Sequence, residues 1–121
     1  MVFVTARVHP GETPASYICN GFLKFLLSDD PRAVTLREEF VFKIVPIINP
    51  DGVFRGHYRS DPYGVNLNRV YGNPSPEKSP TIFGLKQLVE VHAARTFFYI
   101  DLHAHAGKRG IFLFGNYSEF D

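Results

Sequence analysis

His9 and Glu12 lie three positions apart, with Pro10 and Gly11 between them, where an apolar stretch gives way to a polar turn. An imidazole nitrogen and a carboxylate oxygen both bind divalent metals, and two His and one Glu form a common ligand set of catalytic zinc. The pair alone is a weak pattern, since a turn with two solvated polar side chains has the same residues. A third donor elsewhere in the chain is needed to distinguish a metal site from such a turn.

His103 and His105 are the candidates for that third donor, because both follow the apolar run at residues 96–102. Their side chains point the same way if the strand continues through them, so spacing does not choose between them. Asp101, beside this pair, either orients a ligand imidazole through a hydrogen bond or simply ends the strand.

A long segment with little periodicity, residues 52–80, carries several groups that recognise anions. Arg55, Arg59 and Arg69 present guanidinium forks that suit carboxylates and oxyanions, and Asn68 adds an amide. Segments of this length without regular elements are usually functional or disordered, and the arginine and aromatic content favours function. The alternative is a solvated basic loop.

The remaining pattern predicts an α/β fold, with a mixed, mostly parallel sheet and helices on both of its faces. The expected strands are residues 2–6, 40–49, 96–102 and a last short one at 111–114; helices are expected from Pro14, Pro31 and Pro80. Ligands of such sheets bind outside the carboxyl ends of the strands. The three polar clusters follow three of these strands, so we expect them to converge at one edge.

The first of these helices has apolar residues at helical spacing, which predicts a buried stripe of Ile18, Phe22, Phe25 and Leu26. Cys19 falls in the same helix between apolar neighbours. We interpret it as a small buried hydrophobic residue rather than a reactive thiol.

Composition limits the classes of function. The chain has 121 residues, 45% of them hydrophobic, which fits one packed domain, and its net charge of +1 argues against nucleic-acid binding driven by bulk charge. A single cysteine excludes an internal disulfide and suits a reducing compartment. Neither a membrane span nor a signal peptide is expected from the pattern, so we expect a cytoplasmic protein without nucleic-acid or membrane partners.

Five ordered motifs together are far more specific than any of them alone. They are RVHPGE, NPDGV, GHYR, GVNLNR and DLHAHAGKRG, and they run over nearly the whole chain. In this order they resemble the zinc carboxypeptidases, specifically the cytosolic carboxypeptidase branch of that family.

The resemblance assigns roles to individual residues. The implied ligands of one zinc ion are His9, Glu12 and His103. Arg59 matches the arginine that polarises the scissile carbonyl and stabilises the oxyanion, and Asn68 with Arg69 matches the pair that grips the terminal carboxylate of the substrate. Asn66 stands where digestive members carry an Asp beside a ligand histidine.

The same resemblance implies removal of glutamates from acidic protein tails, such as polyglutamylated tubulin, through attack by zinc-activated water. The expected location is the cytoplasm, with association to the cytoskeleton or presence in the nucleus as further options. Two alternatives remain open: a fragment that binds zinc or tubulin tails without turnover, and a related zinc amide hydrolase acting on a small acyl-amino acid.

The family's general base is a Glu on a later strand, well beyond the third zinc ligand. Glu119 follows His103 too closely to match it. The resemblance therefore implies that residues 1–121 are the N-terminal part of a catalytic domain, without the base and without the β-rich domain that precedes it in cytosolic members. We expect such a chain, by itself, to be catalytically silent.

Overall fold

A computed structural model describes residues 1–115. The regular elements in chain order are β1 (Val2–Ala6), α1 (Pro14–Leu26), α2 (Pro31–Glu39), β2 (Phe42–Val45), α3 (Pro50–Phe54), α4 (Pro80–Val91) and β3 (Phe98–Leu102). Two short 3₁₀ turns, Leu67–Arg69 and Ala93–Arg95, lie on either side of α4. Each of the four helices has a proline in its first turn, where a missing N–H costs nothing.

The strands form one sheet in the order β2-β1-β3, and both pairings are parallel. The predicted α/β class with a parallel sheet is therefore confirmed. Thr5, on the central strand, is in register with Val45 on one side and with Asp101 on the other. Parallel strands end at the same edge, so the turns after β1, β2 and β3 are neighbours in space.

One face of the sheet packs against α1. Ala6 of β1 forms a buried cluster with Ala15 and Cys19 of that helix, and Ile44 and Leu102 pack against it. Cys19 is 2% exposed, and burial raises the pKa of its thiol. It is an inert core residue, as the sequence predicts.

The opposite face packs against α4 and the polar segment that precedes it. Val8, Ile48, Ile82 and Leu85 belong to a second buried cluster, which Val45 of β2 contacts. Residues alternate between the faces of a strand, so Ile44 and Val45 point into different clusters. Helices thus cover both faces.

Several details differ from the sequence prediction, among them the short helix α3, which the sequence does not predict, and the start of β3 at Phe98 rather than at residue 96. The expected strand at residues 111–114 is wrong: this stretch has no regular structure, and Ile111 is 100% exposed. Apolar and β-branched residues favour a strand only where a neighbour accepts their hydrogen bonds and covers a face, and none of the described residues does so here. The expected strand at 40–49 is only Phe42–Val45, because Pro46 has no N–H for the ladder.

The buried stripe of α1 also differs. Its buried residues are Ala15, Cys19 and Leu26, whereas Ile18 is half exposed and Phe22 and Phe25 are partly buried. Small residues face the sheet because they let the helix approach it closely. Larger apolar residues lie at the margins of the contact.

Candidate metal centre

Three side chains from two strand ends converge at the carboxyl edge of the sheet. His9 Nδ1 lies 2.7 Å from Glu12 Oε1, and His103 Nδ1 lies 2.9 Å from Glu12 Oε2. One ligand atom from each residue lies within 4.8 Å of the other two. The side chains of His9, Glu12 and His103 are 3%, 18% and 31% exposed, so His9 is buried and the other two are partly shielded from water.

The turn that presents His9 and Glu12 starts from an unusual backbone conformation. Arg7 has a φ of 57°, the left-handed region that residues other than glycine rarely adopt. Its guanidinium donates two hydrogen bonds to the Pro10 carbonyl, at 3.1 and 2.7 Å, and one to Ser16 Oγ at 2.8 Å. These contacts tie the strand end, the turn and the first turns of α1 together, which compensates for the strained backbone.

A close backbone contact joins this turn to the segment carrying Arg59. The Gly11 N–H donates to the Tyr58 carbonyl at 2.7 Å, and a Cβ on Gly11 would lie only 2.6 Å from that same oxygen. Arg59 follows directly, and its Nη1 lies 3.8 Å from Glu12 Oε1 with the side chain 49% exposed. Glycine at position 11 therefore permits the arginine to approach the carboxylate.

The partners of the two imidazoles define which nitrogen of each ring faces the centre. Asn66 Oδ1 lies 3.0 Å from His9 Nε2 and also accepts the Asn68 backbone N–H at 3.0 Å, so this amide atom is an acceptor. His9 Nε2 must then carry the proton. Asp101 Oδ2 lies 2.8 Å from His103 Nε2, and a carboxylate oxygen accepts a hydrogen bond. Both rings therefore present Nδ1 to the centre.

Glu12 and His103 stabilise each other's charged forms when no metal competes. Burial alone would raise the pKa of Glu12, but the Ala104 N–H, which donates at 2.8 Å, and His103 together bring it below its usual value. The hydrogen bond to Asp101 raises the pKa of His103, against the opposing effect of burial. A metal ion would take the place of the proton on His103 Nδ1.

The chemistry of the donor set fits zinc. Two imidazole nitrogens and one carboxylate converge, the far nitrogen of each ring is held by an acceptor, and the carboxylate is held by a backbone N–H. This is the arrangement of a catalytic zinc site, in which three protein ligands leave one position open.

The model of the zinc carboxypeptidase family matches residues 1–107 of this chain. The chain belongs to the zinc carboxypeptidase family. Cytosolic carboxypeptidase-like protein 5 from Danio rerio is 64% identical over 91 residues, covering 74% of this chain and 10% of that protein. Cytosolic carboxypeptidase 6 from Homo sapiens is 49% identical over 123 residues, covering 98% of this chain and 24% of that protein.

A solved structure of the same family has the same fold. The crystal structure of a metallo-carboxypeptidase from Burkholderia cenocepacia matches with a TM-score of 0.78 at 36% identity, over 86% of this chain and 28% of that one. This zinc carboxypeptidase chain spans about a tenth to a quarter of the length of the two cytosolic carboxypeptidases named above. In residues 1–115 no helix is long and apolar enough to cross a membrane.

Other residues predicted from the sequence lie outside the ligand group. His105 is exposed, and its Nδ1 accepts the Gly107 N–H at 3.1 Å. Arg69 is exposed and donates to the Asn68 carbonyl at 3.0 Å. Within residues 1–115, no hydrogen bond or ion pair joins the side chain of Asn68 or Arg69 to the three candidate ligands. Glu119 lies outside the described residues.

Sequence reasoning missed three contributors to the candidate metal centre. The Ala104 N–H is a backbone group, for which no side-chain signal exists. Arg7 gives little signal, because a charged residue at a strand end is ordinary. Thr5 gives a weak one: it is the only hydroxyl in an otherwise apolar five-residue strand, and it is 0% exposed.

Proposed function

We propose that this protein is a zinc metallocarboxypeptidase that removes glutamates from acidic protein tails such as those of polyglutamylated tubulin. The observation that carries the proposal is the convergence of His9, Glu12 and His103 with Arg59 at their side. Family membership supports the reaction class, and the names of the relatives support a cytosolic enzyme.

Zinc held by His9, Glu12 and His103 would supply Lewis acidity, which polarises a carbonyl group. Other residues of the chain preorganise these three ligand side chains. Asn66 and Asp101 fix the tautomers of the two histidines, and the Ala104 N–H fixes one carboxylate oxygen of Glu12. Little reorganisation is then needed when the ligands bind.

Arg59 would stabilise negative charge that develops on the scissile carbonyl. Its guanidinium is half exposed and 3.8 Å from Glu12, too far for a hydrogen bond with that carboxylate. Donors to such an oxyanion act on charge that is absent in the bound substrate, so they accelerate the chemical step.

Arg69 and Asn68 would hold the terminal carboxylate of the substrate. Arg69 is exposed, and Asn68 is held by its N–H to Asn66, the residue that also orients His9. Arg55 is exposed in the same segment and adds positive charge. Three arginines within fifteen residues suit a tail made of glutamates, whose carboxylates guanidinium groups bind in bidentate geometry.

The location that follows from this proposal is the cytoplasm, where tubulin tails are found, with the cytoskeleton and the nucleus as further sites of action. Acidic protein C-termini are the proposed partners. Neither nucleic acids nor membranes are proposed.

The test uses the longest gene product that contains this chain, loaded with zinc, and a peptide ending in a run of glutamates. We expect release of free glutamate, measured by mass spectrometry, and its loss in Glu12→Gln. Glu38→Gln, an exposed change on α2, is the matched control and should retain activity. Two results would contradict the proposal: glutamate release that survives Glu12→Gln, or turnover of an acyl-amino acid but not of the peptide.

A further inference from the structure

A buried hydroxyl lies behind the metal centre. Thr5, on the central strand, is 0% exposed, and its side chain points to the face that Val45 and Asp101 share with it. Its hydroxyl has one proton. The shortest contact that this hydroxyl makes is to Asp101 Oδ1, at 2.7 Å, while Tyr99 Oη lies at 3.2 Å and can donate in return.

The hydroxyl of Thr5 occupies one oxygen of Asp101, and the second oxygen holds His103. Asp101 Oδ2 lies 2.8 Å from His103 Nε2, so each of the two oxygens has its own partner. A carboxylate held at one oxygen cannot rotate without losing that hydrogen bond. The register of β1 and β3 fixes the distance, because Thr5 and Asp101 are paired residues of neighbouring strands.

We propose that Thr5 is a positioning residue of the metal centre, whose hydroxyl fixes Asp101 so that His103 presents Nδ1 to the ion. The proposal rests on the zinc site of the proposed function. It adds to that site the two residues behind His103, which are Asp101 and Thr5. Thr5 touches neither metal nor substrate. Its effect reaches the ion through Asp101 and then through the imidazole of His103.

The alternative is that threonine at this position only fills space in a strand. Valine separates the two roles, because it has nearly the shape of threonine and a similar preference for strands but no hydroxyl. Serine makes the opposite change, since it keeps the hydroxyl and loses the methyl group.

The experiment measures zinc affinity by competition with a chromogenic chelator, in the longest gene product that contains this chain. Losing the direct partner of a ligand histidine typically costs 10–100-fold in metal affinity. Thr5 acts one contact further from the ion, through Asp101, so we expect Thr5→Val to bind zinc about 10-fold more weakly, at the lower end of that range. Thr5→Ser should stay within about 3-fold of the parent. Thr35→Val, a remote change on α2 that also removes a hydroxyl, should have no effect.

Two further measurements separate positioning from folding. The absorption spectrum of the cobalt-substituted protein should change in Thr5→Val and not in Thr5→Ser, because it reports ligand geometry. In an Asp101→Asn background, Thr5→Val should add little further loss, since both changes act on one contact.

The proposal would be overturned if Thr5→Val bound zinc as tightly as the parent. It would also be overturned if Thr5→Val and Thr5→Ser lost zinc affinity to the same extent. If Thr5→Val does not fold, Thr5→Ala against Thr5→Ser gives the same comparison of hydroxyl and no hydroxyl at similar size. Zinc affinity is measured without a substrate, so the two proposals are tested separately. Thr5 can prove unimportant for zinc binding although the protein releases glutamate, and Thr5 can prove important although it does not.

Discussion

The carboxylate of Glu12 and the imidazole of His103 are 2.9 Å apart although 91 residues separate them in the chain. The contact exists because β3 pairs with β1, which places the turns at their carboxyl ends side by side. Glu12 gives one oxygen to His9 and the other to His103. It is the residue that joins the two strand ends into one centre.

His103→Ala should abolish stoichiometric zinc, whereas His105→Ala should retain it. The reason is that His103 Nδ1 faces Glu12, while His105 is exposed and accepts a backbone N–H of its own loop. Metal content after dialysis, measured by mass spectrometry, distinguishes the two variants. Equal losses in both, or zinc retained without His103, would refute the assignment of ligands.

Gly11→Ala should destabilise the protein and separate Arg59 from Glu12. The added Cβ would lie 2.6 Å from the Tyr58 carbonyl, a backbone atom that cannot move aside alone. Overpacking of this kind costs about 1–3 kcal/mol. The unfolding midpoint in denaturant measures this loss of stability. The rate at which the zinc-loaded protein releases glutamate from the peptide should fall as well.

Gly21→Ala is the matched control for that change. Gly21 lies inside α1, and a Cβ added there would have nothing within 4 Å, so alanine should raise stability by about 0.5–1 kcal/mol. If both alanine variants had the same unfolding midpoint, the contact with Tyr58 would not matter.

Arg59→Ala and Arg69→Ala should affect different kinetic constants. Arg59 is proposed to stabilise the negative charge that develops on the oxyanion in the transition state, so its loss should lower kcat by about 10²–10³-fold. Arg69 is proposed to bind a carboxylate present in substrate and transition state alike, so its loss should mainly raise KM. Steady-state kinetics with a glutamate-tailed peptide measure both, and an unchanged kcat in Arg59→Ala would eliminate the oxyanion role.

The metal-free protein should lose stability as the pH rises through the pKa of His103. The hydrogen bond to Asp101 raises that pKa above 6.5, so His103 binds its proton more tightly when the chain is folded than when it is unfolded. Its contribution is fully present below pH 6.5 and disappears as the pH rises through the higher folded value. Thermal unfolding in a chelator across this range measures the effect.

Asp101→Asn is the control for the pH dependence, because it removes the largest cause of the raised pKa. Its unfolding midpoint should vary less over the same range. Identical pH profiles for the parent and Asp101→Asn would show that another group is responsible.

The sequence predicts most of the fold because its signals are local. Prolines at helix starts and the apolar runs of β1 and β3 identify elements, and polar residues after each strand identify the edge of the sheet where the candidate site lies. The strand predicted at residues 111–114 fails for the opposite reason: whether an apolar run becomes a strand depends on a neighbour, which no local pattern encodes.

The candidate site also has features that the local sequence predicts and features that depend on strand pairing. His9 and Glu12 are visible as a pair, since they lie three positions apart. The choice of His103 over His105 depends on where β3 ends, and β3 ends at Leu102, one residue before His103. The contact of Thr5 with Asp101 depends on the register of two strands at opposite ends of the chain, which becomes known only once they are paired.

The order of strands in the sheet also determines when the centre can form during synthesis. β1 leaves the ribosome first and can pair with β2 early, but its other edge stays uncovered until β3 emerges. Contacts between residues so far apart in the chain form slowly. Capture of a metal ion by these three residues would therefore be one of the last events in their assembly, and the nascent chain carries an open, apolar strand edge until β3 pairs.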